Sequence, residues 1–169
     1  MNIKINLSSK SVNDAIQKLK DYQASLSDKN EIFVRRLGEL GIPIIETNIG
    51  ASMGDSDKEH YTHIVLHRYG DYAEARLVLE GQDILFIEFG AGIHYNENSS
   101  AAHADKFGYG VGTYPGQTHA NDPKGWWYID DTGAPHHSYG TEATMPMLKA
   151  SHEIIANIRK IAREVYGSK

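Results

Sequence analysis

The chain has 169 residues, 40% of them hydrophobic and 23% charged, with a formal net charge of -5 and no cysteine. That is enough chain for one core, and the composition is that of an ordinary globular domain, so a single domain over residues 1 to 169 is expected. It excludes disulfides, thiolate zinc sites and cysteine nucleophiles, and argues against a broad basic face able to hold a phosphate backbone.

The opening stretch, "MNIKINLSSK", has no apolar core like that of a signal peptide, and no later apolar run approaches membrane-spanning length. Val12, Ala15, Ile16, Leu19, Tyr22 and Leu26 then recur at helical spacing, with Ser11 and Asp14 set like a capping box. Ser27 reads as the cap of a second helix whose stripe is Ile32, Phe33, Leu37, Leu40 and Ile44. Pro43 predicts a kink or restart of that helix near Gly41, and "GASMGDSDK" from position 50 reads as its end.

From His60 the period changes to two, with Ile64 and Leu66 on one face and His63, Val65 and His67 on the other. "YGDYA" predicts a turn, "EARLVLEG" a second strand and "QDILFIEFG" a third, so an antiparallel meander is expected with helices covering one face. Residues 91 to 125 show neither period and read as a long glycine-rich loop whose order depends on contacts from outside the subunit. "WWYID" resumes a strand, on which Trp126 and Trp127 must face opposite sides, and "DDTGAP" turns it. From Met145 a final helix follows, with Pro146 in its first turn, Ile155 and Ile158 on the expected core stripe, and Arg159 and Arg163 on a solvated or interfacial face.

The chemical candidates are few. His63 and His67 share a strand face but stand four residues, about 13 Å, apart, too far for one metal ion. His136 and His137 are adjacent and point apart. Glu88 alternates with Phe86 opposite the core residues Leu85, Ile87 and Phe89, where it is either solvated, or buried against another subunit and ion-paired, or an acid–base group with His94. A metal-dependent hydrolase built on Glu88, His94 and a loop histidine such as His103 or His119 is the enzymatic alternative; a small adaptor is the other. "GYGVGTYPG" opens no helix and carries no Lys-Ser or Lys-Thr, so it is not a nucleotide cradle and no cofactor is expected. Glycine there suits sharp turns and close backbone approach, while Tyr95, Tyr109, Tyr114, Trp126, Trp127 and Tyr139 are residue types enriched at interfaces.

Taken together, "FIEFGAG" (residues 86 to 92), "GWWY" (125 to 128), Gly140 followed by "MPM" (145 to 147), and the closing "IAREVYG" resemble the siphophage tail-component family, whose members are described as head-tail joining, neck or tail-completion proteins. The likeness spans about residues 11 to 167, with alanine at position 91 where the family carries a small hydroxyl residue. It implies a non-catalytic virion protein at the neck, assembled in the host cytoplasm as a homo-oligomeric, hexameric ring. Its neighbours would be head-completion or connector proteins and tail-terminator or tail-tube proteins, with genomic DNA only as passing cargo and no membrane. The assembly-interface candidates are Glu88, Gly90, Gly92, His94, Tyr95, Tyr109, Tyr114, Trp126, Trp127 and Arg163. The expected fold is α+β: an N-terminal helical pair and a C-terminal helix packed on an antiparallel β-sheet, with the long glycine-rich loop at 91 to 125.

Overall fold

The computed structural model describes residues 8–53, 59–92, 106–107, 122–130 and 132–167, with positions 4 and 6. It is an α+β arrangement: α1 (Ser9–Met53), β1 (His60–Tyr69), β2 (Tyr72–Gly81), α2 (Ile84–Phe89), β3 (Trp126–Ile129), β4 (Pro135–Ser138) and α3 (Pro146–Tyr166). β1 and β2 form one antiparallel hairpin and β3 and β4 another, as two separate two-stranded sheets.

The N-terminal helical pair is a single helix of 45 residues. Its cap lies one turn before Ser11: the Ser8 hydroxyl accepts the Ser11 N–H at 3.2 Å, and the Ser8 carbonyl accepts the Val12 N–H at 3.1 Å. Ser27, expected to start a second helix, is buried inside the first. Pro43 also lies within it. Its missing N–H leaves the carbonyl of residue 39 without its helical partner, but Glu39 and Pro43 are both exposed, where water can fill that role. The Thr47 hydroxyl donates to the Pro43 carbonyl and the Asn48 amide to the Ile44 carbonyl, both at 2.7 Å, adding local bonds to the same turns.

Helix α1 is the surface on which the other elements pack. Gly38 and Gly41 admit the hairpin: a Cβ at Gly38 would lie 2.9 Å from Ile64 Cδ1, and one at Gly41 would collide with Leu77 Cδ2. Ile64 and Leu77 are directly paired across the strands, so the inner face of the hairpin is the Ile64 face the alternation predicts. At its tip Gly70 takes φ +64 as the first central residue of the two-residue turn between Tyr69 and Tyr72. α3 runs antiparallel to α1, with Lys149 bonded to Asn48 at one end and Tyr166 to Asn30 at the other. Ile45, Ile49 and Ala150 form the centre of the core, with Ile44, Leu77, Leu79 and Met147 packed around them.

Two further expectations fail. "QDILFIEFG" is not a third strand: Asp83 takes a left-handed conformation at φ 58 and Ile84 to Phe89 coil into a short helix with Ile87, Glu88 and Phe89 all buried. Three consecutive buried residues cannot belong to a strand with one open face, because alternate side chains there point to opposite sides. The α3 core stripe is also displaced from the one expected. Ala150, Ile161 and Val165 are buried, whereas Ile155 is 65% and Ile158 39% exposed. The helix is apolar on more than one face, and α1 covers only one of them. Ile45→Ala is therefore expected to cost about 2–5 kcal/mol in urea unfolding, against less than about 0.5 kcal/mol for Ile155→Ala. Equal losses at the two positions would contradict this packing.

Candidate functional site

Helix α3 starts without the means to cap itself. Its first residue, Pro146, has no N–H, and Met145 before it, at φ 53, makes no side-chain cap. The part-buried donors of the first turn are met from 59 and 60 residues upstream: Glu88 Oε2 accepts the Met147 N–H at 2.8 Å and Oε1 the Leu148 N–H at 3.1 Å. A carboxylate at this end also meets the positive pole of the helix dipole. Glu88 is 4% exposed, so the arrangement is a buried charge-assisted cap.

The neighbouring backbone completes the junction. The Ile87 carbonyl accepts the Thr144 N–H at 2.9 Å, and Ala91 and Thr141 exchange two bonds at 2.8 and 2.9 Å. Gly90 and Gly92 have φ 75 and 78, and a Cβ on Gly92 would lie 2.8 Å from the Tyr139 carbonyl and 3.3 Å from Trp126 Cζ3. From the other side, a Cβ on Gly140 would collide with the Ala91 carbonyl. Glycine is required there because two backbones touch. The segments "FIEFGAG", "GWWY" and "MPM" thus meet in one place.

The junction's outer edge is the β3–β4 hairpin. Trp126 is half-buried against Gly92 while Trp127 is 70% exposed, so the two tryptophans do face opposite ways. Trp127 packs edge-on against His137, which packs edge-on against Tyr139. On the opposite face Tyr128 stacks on His136, and His136 bonds Asp130 at 2.8 Å. Asp130 organises the turn: its Oδ1 accepts the N–H groups of Thr132 and Ala134, each at 2.9 Å. The Thr132 hydroxyl first, then the Ala134 N–H and His136, hold the Asp130 carboxyl well below the usual carboxylate range.

His94, Tyr95, Tyr109 and Tyr114 lie outside the described residues, as do His103, His119 and most of the 91 to 125 loop. Arg163 is exposed in the last turn of α3, away from the junction. His60 bonds the Gln82 carbonyl at 2.9 Å, and His63 stacks on Tyr61. Among the described residues no group of three or more histidines and carboxylates is placed to hold a metal ion, and no helix is long and apolar enough to cross a membrane. A cleft of about 420 Å³ lies between α1, the β1–β2 tip and the end of α3, lined by residues including Phe33, Ala73 and Tyr166. Its polar rim is already tied, since Asn30 bonds both the Asp71 carbonyl and the Tyr166 hydroxyl, and burial raises the Tyr166 pKa. Compared with protein-family models, curated proteins and solved structures, the chain returns no match.

The Glu88–α3 contact was not anticipated, although one signal pointed to it. A helix opening Met-Pro-Met offers no Ser, Thr, Asp or Asn at its cap, so an acceptor must come from elsewhere. Glu88→Ala is expected to cost about 1–3 kcal/mol, because two backbone donors lose their acceptor, and Glu88→Gln less, since one oxygen remains. Urea unfolding checks this; a wild-type midpoint for Glu88→Ala would contradict it. The Asp130 turn carries a pH signature. With the folded value depressed, its contribution is complete above the unfolded carboxylate value of about 3.9 and is lost as pH falls through the folded one. An NMR titration should place the Asp130 midpoint below that of a free aspartate, and Thr132→Val should move it up.

Proposed function

We propose that this chain is a structural component of a tailed-phage virion, a subunit of a ring at the head–tail junction that joins the tail to the DNA-filled head. The observation that carries the reading is the convergence at Glu88. Three of the four motif pieces on which the family resemblance rests, far apart in sequence, form one scaffold, and its carboxylate caps a helix. A virion subunit needs rigid junctions that present surface to neighbours. Around this one Trp127, Tyr128, Ile129 and Tyr139 are all exposed, and aromatic side chains of this kind are frequent anchors when a partner excludes water. The net charge of -5 suits a passage through which DNA slides, because a strongly basic lumen would retain phosphates.

In this reading head-completion or connector proteins lie on one side of the ring and tail-terminator or tail-tube proteins on the other. The hydrolase alternative is weakened by the geometry of Glu88, both of whose oxygens accept backbone N–H groups. The encoding genome is expected to carry major-capsid, connector and tail-tube genes beside this one. Disrupting the gene should yield filled heads and separate tails in electron micrographs, with joining restored by the wild-type protein. Intact, infectious particles without the protein would overturn the proposal.

A further inference from the structure

The cleft of about 420 Å³ at the tip of the β1–β2 hairpin is built on a fixed frame. Asn30 of α1 donates to the Asp71 carbonyl and accepts from the Tyr166 hydroxyl, both at 2.7 Å. One amide thus ties the hairpin turn and the end of α3 to the same turn of α1. Phe33 packs on Tyr166 with ring centroids 5.6 Å apart, and Tyr72 stacks on Tyr69 at 6.1 Å. The walls are therefore in place before anything binds, which lowers the cost of ordering them on contact.

Between these walls the lining is aromatic and apolar, from Phe33, Val34, Tyr72, Ala73 and Tyr166. The Asn30 amide, the Asp71 carbonyl and the Tyr166 hydroxyl are engaged with one another. The Asp71 carboxylate is not: among the described residues it has neither a hydrogen bond nor an ion pair. An aspartate in a turn ordinarily bonds the backbone a few residues on, as Asp130 does with Thr132 and Ala134. Asp71, the second central residue of the turn between Tyr69 and Tyr72, does not serve its own turn in this way. The neighbouring arginines are committed to other carboxylates. Arg68 pairs with Asp28 at 2.9 Å and Glu31 at 3.6 Å, Arg35 with Glu31 at 2.6 Å, and Arg36 with Glu164.

Aromatic rings beside an unpaired carboxylate suit one kind of ligand. A guanidinium is planar, stacks on aromatic faces, forks onto a carboxylate and trails an apolar stem, whereas an ammonium is a more strongly hydrated point charge. We propose that the cleft is a receptor for an arginine side chain projecting from a neighbouring protein chain. Its stem lies on Val34 and Ala73, and its guanidinium meets the aromatic lining and Asp71. Arginines seated in pockets of this kind are frequent anchors of protein interfaces. That the neighbour is a virion protein rests on the ring reading; the recognition chemistry does not.

An NMR titration of the full chain tests the receptor with blocked arginine, N-acetyl-arginine N-methylamide, as the probe. Saturable shifts are expected at the amides of Val34, Asp71 and Ala73. The citrulline analogue, equal in shape but neutral, should bind at least about threefold more weakly, as for loss of a cation–π contact, and the lysine analogue should fall between them. Asp71→Asn and Tyr72→Leu, both at exposed positions, should each weaken arginine binding by a similar factor, with the remaining amide signals showing that the fold is kept. No saturable shift, equal affinity for citrulline, or wild-type binding by both variants would overturn the proposal. Phage carrying Asp71→Arg should fail to join heads to tails. Normal joining by that variant would overturn the receptor and leave the ring reading standing. Selective arginine binding by a protein that proves dispensable for joining would uphold the receptor and remove the ring reading.

Discussion

The C-terminal half of this protein depends on one electrostatic contact, the Glu88 carboxylate on the first-turn N–H groups of α3. Without an acceptor those part-buried donors would be left unpaired, a penalty that is a sizeable fraction of a domain's net stability. The helix that carries Glu88 is only six residues long and has little stability of its own. Each helix therefore needs the other. The Ala91–Thr141 pairing and the Gly92–Trp126 approach follow from bringing these two segments together, and the β3–β4 hairpin is attached through them.

A second constraint is the mismatch in length between α1 and what covers it. A helix of 45 residues spans about 68 Å, whereas α3, with 21, spans about 32 Å. The β1–β2 hairpin is no longer. Close approach at Gly38 and Gly41 fixes where both elements sit, near the C-terminal half of α1. The N-terminal part of the helix consequently leaves Val12, Ile16, Leu19 and Tyr22 largely exposed, although Ala15 on the same face is buried. Exposed apolar ridges of this kind mark interaction sites more often than chance.

The ion pairs contribute comparatively little to this arrangement. Arg36–Glu164 joins α1 to α3, Arg68 reaches both Asp28 and Glu31, and Arg35–Glu31 lies along one helix face, but all are substantially solvated and are worth about 0–1 kcal/mol each. They set register between elements that apolar packing has already brought together. The buried glutamate differs in kind, because both of its carboxylate oxygens accept backbone N–H groups at the start of a helix.

Much of the architecture was legible in the sequence by itself: the α+β class, the helical beginning and end, the β1–β2 hairpin with Ile64 facing inward, and the opposed tryptophans. These follow from local periodicity and from turn residues, which act over a few positions. Tertiary structure alone decided three matters. Residues 84 to 89 alternate like a strand but coil, because burial on all sides and the empty cap of α3 outweigh a two-residue period. Ser27 and Pro43 look like helix boundaries, yet α1 continues through both, since packing along its length stabilises it more than one lost hydrogen bond destabilises it. On α3, Ile155 and Ile158 are as apolar as Ile161, and only the direction from which α1 approaches determines which of them is buried.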